Sequence, residues 1–318
     1  MRGLKVWVRG IVQGVGFRPF VFNLAEELKL TGWVKNTSSG VEIEIYGEAG
    51  QVERFADAVR SSPPPLARID ELRTEPLGYN GFTTFEIRES QSEEGAYIPV
   101  SPDMAICEDC HRELFDPADR RYRYPFINCT NCGPRFTITR ALPYDRPMTS
   151  MAAFRQCPAC RAEYTAPTNR RFHAEPNACP ACGPALALRV IDGTSIDGDP
   201  LAGALALLRK GGIVAIKGLG GYHLACDARR DAAVATLRER KSREAKPFAV
   251  MVASVASLDA LVGISAAERA LLESAERPIV LLRKRAGADA ALPGIAPGLA
   301  WFGAMLPCTP LQYLLFHE

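Results

Sequence analysis

The 318-residue sequence contains no run of eighteen or more apolar residues, which excludes a transmembrane helix. It has almost no net charge: a formal value of +2 provides no global field toward nucleic acid or an anionic membrane. The N-terminus, MRGLKVWVRGIVQGVGFRPF, lacks the apolar core and small-residue cleavage site of a secretory signal. Together these absences point to a cytoplasmic address without a membrane partner. What is present is an ordinary globular apolar fraction, 47 %, in a chain long enough for two or three domains.

Ten cysteines could suggest a disulfide scaffold, but their arrangement in a reducing compartment reads as metal ligation. Eight fall into four C-x-x-C pairs: Cys107/Cys110, Cys129/Cys132, Cys157/Cys160 and Cys179/Cys182. Every cysteine of the second half lies fifty residues after its counterpart, and Glu113/Glu163, Pro117/Pro167, Arg120-Arg121/Arg170-Arg171 and Tyr122/Phe172 repeat with them. The segment is an internal duplication. Two C-x-x-C turns complete a tetrahedral all-sulfur shell, so each set of four suits a closed, structural Zn²⁺ site. Spacing leaves open whether each zinc is held within one repeat or between the two. His111 and His173 are surplus to such shells and read as surface or packing residues, and Cys226 and Cys308 read as core positions.

Residues 1–92 read as β-α-β-β-α-β. Leu4 to Ile11 alternates like a half-buried strand. Phe17, Phe20, Val21, Leu24 and Leu28 form one stripe of a helix running to Leu30, with Gly32 expected to end it. Trp33–Asn36 and Val41–Tyr46 read as a hairpin, and Val52, Phe55 and Val59 as a second helix stopped by Pro63 to Pro65. Strands near 68–75 and 81–88 complete the unit, and the polar stretch 90–96 reads as a linker. Residues 93–190 are the cysteine module. From 191 to 318, helices at 201–209 and 231–240 alternate with apolar strands at 213–216, 248–252 and 279–282, which argues an α/β domain. The pattern breaks off after LQYLLFHE with no finishing element, as if the domain were cut short. The fold class expected is multidomain α+β.

The loop Gln13-Gly14-Val15-Gly16-Phe17-Arg18 joins a strand to a helix N-terminus, where glycines and the helix dipole make an anion cradle and an arginine can clamp phosphate. The string VRGIVQGVGFR followed by WVKNTSSG resembles the acylphosphatase signature across the whole first domain. That resemblance implies a ferredoxin-like fold, Arg18 as the phosphate-binding arginine and Asn36 as the residue that orients the attacking water, with no nucleophile or metal required.

Near the other end, KGLGGYHLACDA and LRERKSREAKPFAVM gather a glycine turn and several cations, as an anion site requires. These strings resemble YrdC-like (Sua5-type) nucleotide-binding domains. The order acylphosphatase, double four-cysteine module, YrdC-like domain is similar to the HypF family of hydrogenase-maturation carbamoyltransferases. The resemblance implies ATP or carbamoyl contacts at Lys217, Gly220, His223, Lys241, Arg243 and Lys246. It further implies hydrolysis of carbamoyl phosphate to carbamate, activation with ATP (and Mg²⁺) as carbamoyl-AMP, and transfer in the full enzyme to a C-terminal cysteine of the partner HypE. The product is the precursor of the cyanide ligands of [NiFe] hydrogenase. Two rival readings are a nucleic-acid-binding zinc ribbon and a non-catalytic docking platform. Eleven arginines against eight acids over 107–182 is too modest an excess to favour nucleic acid.

Overall fold

The structure is a computed structural model that describes residues 2–91, 99–243 and 245–318. The expected linker therefore falls largely outside the described residues, as does the boundary between residues 92 and 93. The chain divides into two compact units, residues 1–103 with 127–183, and residues 104–126 with 184–318.

In the first unit, β1 (Arg2–Ile11), α1 (Phe17–Glu27), β2 (Thr31–Thr37), β3 (Gly40–Gly47), α2 (Ala49–Ser61), β4 (Arg68–Leu77) and β5 (Phe85–Ile87) follow the expected order. They build a five-stranded sheet ordered β4-β1-β3-β2-β5, antiparallel except where β2 meets β5. The stripe of α1 and the Val52, Phe55, Val59 face of α2 pack on Val6, Val8, Ile43 and Ile45. Phe55 is fully buried, so truncating it to alanine would cost about 3–5 kcal/mol. Gly32 does not end α1. The helix stops at Leu28 and Lys29 makes the left-handed turn (φ 52°), while Gly32 already lies in β2. Its glycine character answers a different demand: a Cβ there would stand 1.9 Å from the Glu44 carbonyl oxygen of the adjacent β3.

The duplicated segment keeps its fifty-residue register in three dimensions. Helix α3 (Glu108–Phe115) and helix α4 (Pro158–Thr165) are both eight residues long and start directly after a cysteine. Both repeats turn on a left-handed residue eight positions after their helices end, Arg123 (φ 55°) in one and His173 (φ 51°) in the other.

The second unit also contains β6 (Leu188–Arg189), β7 (Ser195–Ile196), α5 (Pro200–Arg209), β8 (Val214–Gly218), β9 (Gly221–Ala225), α6 (Asp231–Arg240), β10 (Ala249–Met251), β11 (Val262–Gly263), α7 (Ala266–Glu273), β12 (Val280–Lys284), α8 (Ala288–Ala291), β13 (Trp301–Met305) and α9 (Pro310–His317). Four strands form a mixed sheet ordered β10-β13-β12-β11 over a core of Leu258, Val262, Leu272, Leu282 and Phe302. The segment expected as a buried strand at 213–216 is instead half of the separate β8–β9 hairpin, where Val214 is buried and Ala215 is exposed. Its period of two places one apolar face inward and leaves the other open, which a short apolar run does not disclose. Cys226 packs against the sheet core, and the Cys308 N–H donates to Gln312 Oε1 at 2.8 Å. Helix α3 is held in this unit by His111, whose ring lies edge-on to Tyr313 at 4.8 Å.

Candidate functional site

The loop after β1 is shaped by its glycines. Gly14 (φ 71°) and Gly16 (φ 75°) both take left-handed backbone, and Gly16 caps α1. At Gly14 a Cβ would also press on Arg135 Cδ at 3.0 Å and on the Tyr144 ring at 3.2 Å. Val15 and Phe17 turn their side chains into the core, so any anion here meets the backbone of the loop. Gln13 serves a different purpose: its Nε2 donates to the Thr37 and Gly40 carbonyls, both at 2.8 Å, and its Oε1 accepts from the Tyr144 N–H at 3.0 Å. It fixes the loop to the β2–β3 turn.

Arg18 and Asn36 line one pocket, together with Thr130, Arg135, Tyr144, His173 and Glu175 from the cysteine segment of the same unit. The pocket is small, a cavity volume of about 20 Å³, enough for at least one ordered water molecule. Arg18 is 8 % exposed and fills part of the space. Its Nη1 lies 2.9 Å from Asp145 Oδ1, and its Nη2 donates to Glu175 Oε1 at 2.9 Å. Burial alone would disfavour the guanidinium charge, but Glu175 and then Asp145 outweigh it and the pKa is raised. The two carboxylates differ in freedom. Asp145 keeps a quarter of its side chain in solvent. Glu175 is 1 % exposed, and its Oε2 accepts from the Tyr164 hydroxyl and from the Arg146 N–H, each at 2.9 Å. Burial pushes the Glu175 carboxyl up to about 7 despite the pull of Arg18.

Several polar atoms around this pocket are buried without a hydrogen-bonding partner: both side-chain atoms of Asn36, the Tyr144 hydroxyl and His173 Nδ1. Buried polar groups are nearly always satisfied, so a group of orphans on one pocket marks a place for a ligand or water. Burial holds Tyr144 well above the usual phenol range, and burial followed by Arg18 holds His173 down to about 3, so the phenol stays protonated and the imidazole neutral. Arg135 is a structural clamp. Its Nη atoms donate to the carbonyls of Cys129, Thr130, Cys132 and Pro134 at 2.8–3.1 Å, and its Nε reaches the Gly14 carbonyl.

Sequence reasoning misses Tyr144, His173 and Glu175 as site residues, and it reads His173 as surface or packing. The duplication does not single them out: His173 answers Arg123 and Glu175 answers Pro125, but neighbouring pairs such as Tyr124/Ala174, Phe126/Pro176 and Ile127/Asn177 differ as well.

The eight module cysteines are not disulfide-bonded and gather as Cys107, Cys110, Cys129, Cys132 and as Cys157, Cys160, Cys179, Cys182, so each repeat supplies its own four. In the second group three of the sulfur–sulfur separations are 3.6–3.8 Å, and all lie within 4.8 Å. A tetrahedron with Zn–S bonds of about 2.3 Å has edges of about 3.8 Å, so this cluster suits zinc.

The cationic candidates of the second unit are arranged otherwise. Lys217 lies near the end of β8, Gly220 (φ 74°) forms the hairpin turn, and His223 lies exposed on β9. Lys241 and Lys246 are exposed, and Arg243 sits half-buried near the Phe248 ring at 5.5 Å. Residue 244, inside this motif, lies outside the described residues. Arg238, which the motif does not single out, organises the loop by donating to the Arg243 and Lys246 carbonyls at 2.8 and 3.1 Å.

Comparison with known proteins assigns these parts. An acylphosphatase model matches residues 4–87, a HypF finger model matches 106–139 and 157–189, and a Sua5/yciO/yrdC model described as telomere recombination matches 206–318. The first region is 43 % identical to an acylphosphatase of Yersinia pseudotuberculosis over 94 % of that protein and 27 % of this chain. These matches define a multidomain α+β protein that joins an acylphosphatase domain, a cysteine finger and a Sua5/YrdC-type domain. Over 99 % of its length the chain is 57 % identical to carbamoyltransferase HypF2 of Cupriavidus necator, covering 39 % of that protein. It also superposes with a TM-score of 0.94 on a full-length HypF crystal structure in the phosphate- and nucleotide-bound form, at 48 % identity over 99 % of this chain and 41 % of that one. The chain belongs to the HypF carbamoyltransferase family, and it spans about two-fifths of the length of the curated relatives it matches. No described helix is long and apolar enough to cross a membrane.

Proposed function

We propose that this chain carries the entry steps of a carbamoyltransferase of [NiFe]-hydrogenase maturation, beginning with hydrolysis of carbamoyl phosphate at Arg18 and Asn36. The observation that carries this reading is Asn36, 1 % exposed with both amide atoms unpartnered, on the same pocket as Arg18. An amide so placed holds a water by one donor and one acceptor. The loop of residues 13–17 and Arg18 hold the phosphate, and Arg18 neutralises charge as the bond to phosphorus breaks. Arg18 is already paired with both carboxylates, so a bound phosphate competes with them for its guanidinium. Asp145, the more exposed and less tethered carboxylate, is the one displaced. In the reaction the water oxygen bonds to phosphorus as the bridging phosphorus–oxygen bond breaks. The carbamoyl group leaves with the bridging oxygen as carbamate, and both water protons end on the phosphate as dihydrogen phosphate. The step balances without a covalent enzyme intermediate.

The remaining assignments rest on family membership. They divide the chain into an acylphosphatase domain (1–92), a two-zinc module (93–190) and a YrdC-like domain (191–318). Carbamate would be activated with ATP, accompanied by Mg²⁺, as carbamoyl-AMP with release of pyrophosphate, using Lys217, Gly220, His223, Lys241, Arg243 and Lys246. The full-length enzyme would pass the carbamoyl group to the C-terminal cysteine thiol of HypE in the cytoplasm. The zincs hold the fold and take no part in the chemistry. Phosphate release from carbamoyl phosphate tests the entry step: Arg18→Ala and Asn36→Ala should each lower turnover by about 10²-fold or more. Full turnover in both variants would contradict it.

A further inference from the structure

Once the loop, Arg18 and Asn36 are given to phosphate and water, the rest of the pocket wall comes from the cysteine segment. Nothing in the phosphate chemistry requires that wall to be polar. Yet it presents the Tyr144 hydroxyl and His173 Nδ1, both buried and unpartnered, beside the Glu175 carboxyl. We propose that Tyr144, His173 and Glu175 recognise the acyl group of the substrate and select a carbamoyl group over an alkanoyl group such as acetyl. The inference deepens the proposed function and rests on it.

The complementarity is chemical. A carbamoyl group offers two N–H donors and one carbonyl acceptor, whereas an acetyl group offers only the carbonyl. Glu175 Oε1 accepts a hydrogen bond from Arg18, and an sp² oxygen has capacity for another. Its position does not depend on Arg18, because Tyr164 and the Arg146 backbone hold the other oxygen. His173 Nδ1 is a second acceptor in the tautomer that carries its proton on Nε2. Its ring is fixed between Tyr164 and Phe172 at centroid distances of 5.0 and 4.7 Å, on a left-handed backbone turn. The Tyr144 hydroxyl donates to the carbonyl. Its main chain is anchored to Gln13, so the phenol is carried by the same residue that shapes the phosphate loop. An acetyl group in this wall leaves two acceptors facing a methyl. A site built to hydrogen-bond its substrate rejects the analogue that lacks those groups far more strongly than an apolar pocket would.

Two of these wall residues have no counterpart of the same type in the first repeat. In the first repeat the matching positions are Arg123 and Pro125, and Arg123 pairs with Glu318 at 2.7 Å, both within the second unit. The two halves of one duplication thus carry the same cysteine spacing and different outward chemistry.

The test is the ratio of kcat/KM for carbamoyl phosphate to that for acetyl phosphate, measured on the intact protein and on Tyr144→Phe and Glu175→Gln. The intact protein should favour carbamoyl phosphate, and each variant should reduce the ratio by at least about tenfold. Tyr144→Phe removes an atom that has no partner, so it leaves the fold's own hydrogen bonds in place. Bound zinc, measured on Glu175→Gln, separates a lost contact from a disordered repeat. An intact protein that hydrolyses both substrates without preference, or a Tyr144→Phe variant in which both fall together, overturns the inference and leaves the acylphosphatase reading standing. Hydrolysis of neither substrate by the intact protein overturns both.

Discussion

The Arg18 pocket and the cationic segment of the second unit are both strings of glycine and basic residues that suit anions, yet they differ in how far the fold has prepared them. Around Arg18 the charge is buried, paired with two carboxylates, and ringed by polar atoms without partners. At Lys217, Lys241 and Lys246 the charges are exposed. Buried charge is costly to maintain unless compensated, so the first arrangement draws on the stability of the surrounding fold while the second asks little of it. The difference teaches that burial, more than composition, decides how far a basic motif is prepared before its ligand arrives.

Removing metal should have the largest effect on this comparison. Cys160→Ser opens a four-sulfur shell at a fully buried ligand and should lower Tm by more than about 10 °C, with about half the bound zinc lost by metal analysis. Because Glu175 and His173 lie between the cysteine pairs of that repeat, the pocket wall should be lost with it, while the β8–β9 hairpin of the other unit stays folded.

Next in size is the direct contrast of cations. Arg18→Ala leaves Glu175 buried without its cation and should cost about 3 kcal/mol in chemical unfolding. Lys217→Ala, at an exposed position, should stay within about 0.5 kcal/mol. Equal costs would erase the distinction between the two regions.

The pH dependence sharpens it further. Glu175 is raised by burial to about 7, faced by Arg18, Asp145, Tyr164, Tyr144 and the Arg146 main chain. A carboxyl with a folded pKa above its unfolded value stabilises most when protonated, and that contribution is lost as pH rises through about 7. Relative to Glu175→Gln, the native protein should therefore lose about 2 kcal/mol between about pH 5 and pH 8. A difference that grows with pH would show that the Arg18 pair dominates instead. Smallest of all, Tyr144→Phe should change stability by less than about 1 kcal/mol, because the hydroxyl it removes has no partner to lose.

Much of the first unit is legible from period and punctuation. The strand at β1, the apolar stripe of α1 and the 52/55/59 face of α2 are local patterns that tertiary packing reinforces. Gly32 misleads because a glycine near a helix end usually terminates it, whereas here the constraint is a neighbouring strand, which no local window reveals. The zinc ligands are legible because covalent spacing sets them, but their grouping within each repeat needs coordinates. Arg18 and Asn36 are legible through a signature, and their setting is not: Asp145 and Glu175 stand 127 and 157 residues from Arg18 in the chain, and only folding brings them to it. His173 and Glu175 leave no trace in the sequence, because the two repeats differ at most of the positions around them.

A structure of the protein with inorganic phosphate tests the role of the Arg18 pocket most directly. The prediction is phosphate on the loop of residues 13–17 within hydrogen-bonding distance of the Arg18 guanidinium, with Asp145 turned aside and Glu175 still held by Tyr164 and Arg146. Phosphate bound away from that loop, with Arg18 still joined to both carboxylates, would contradict it.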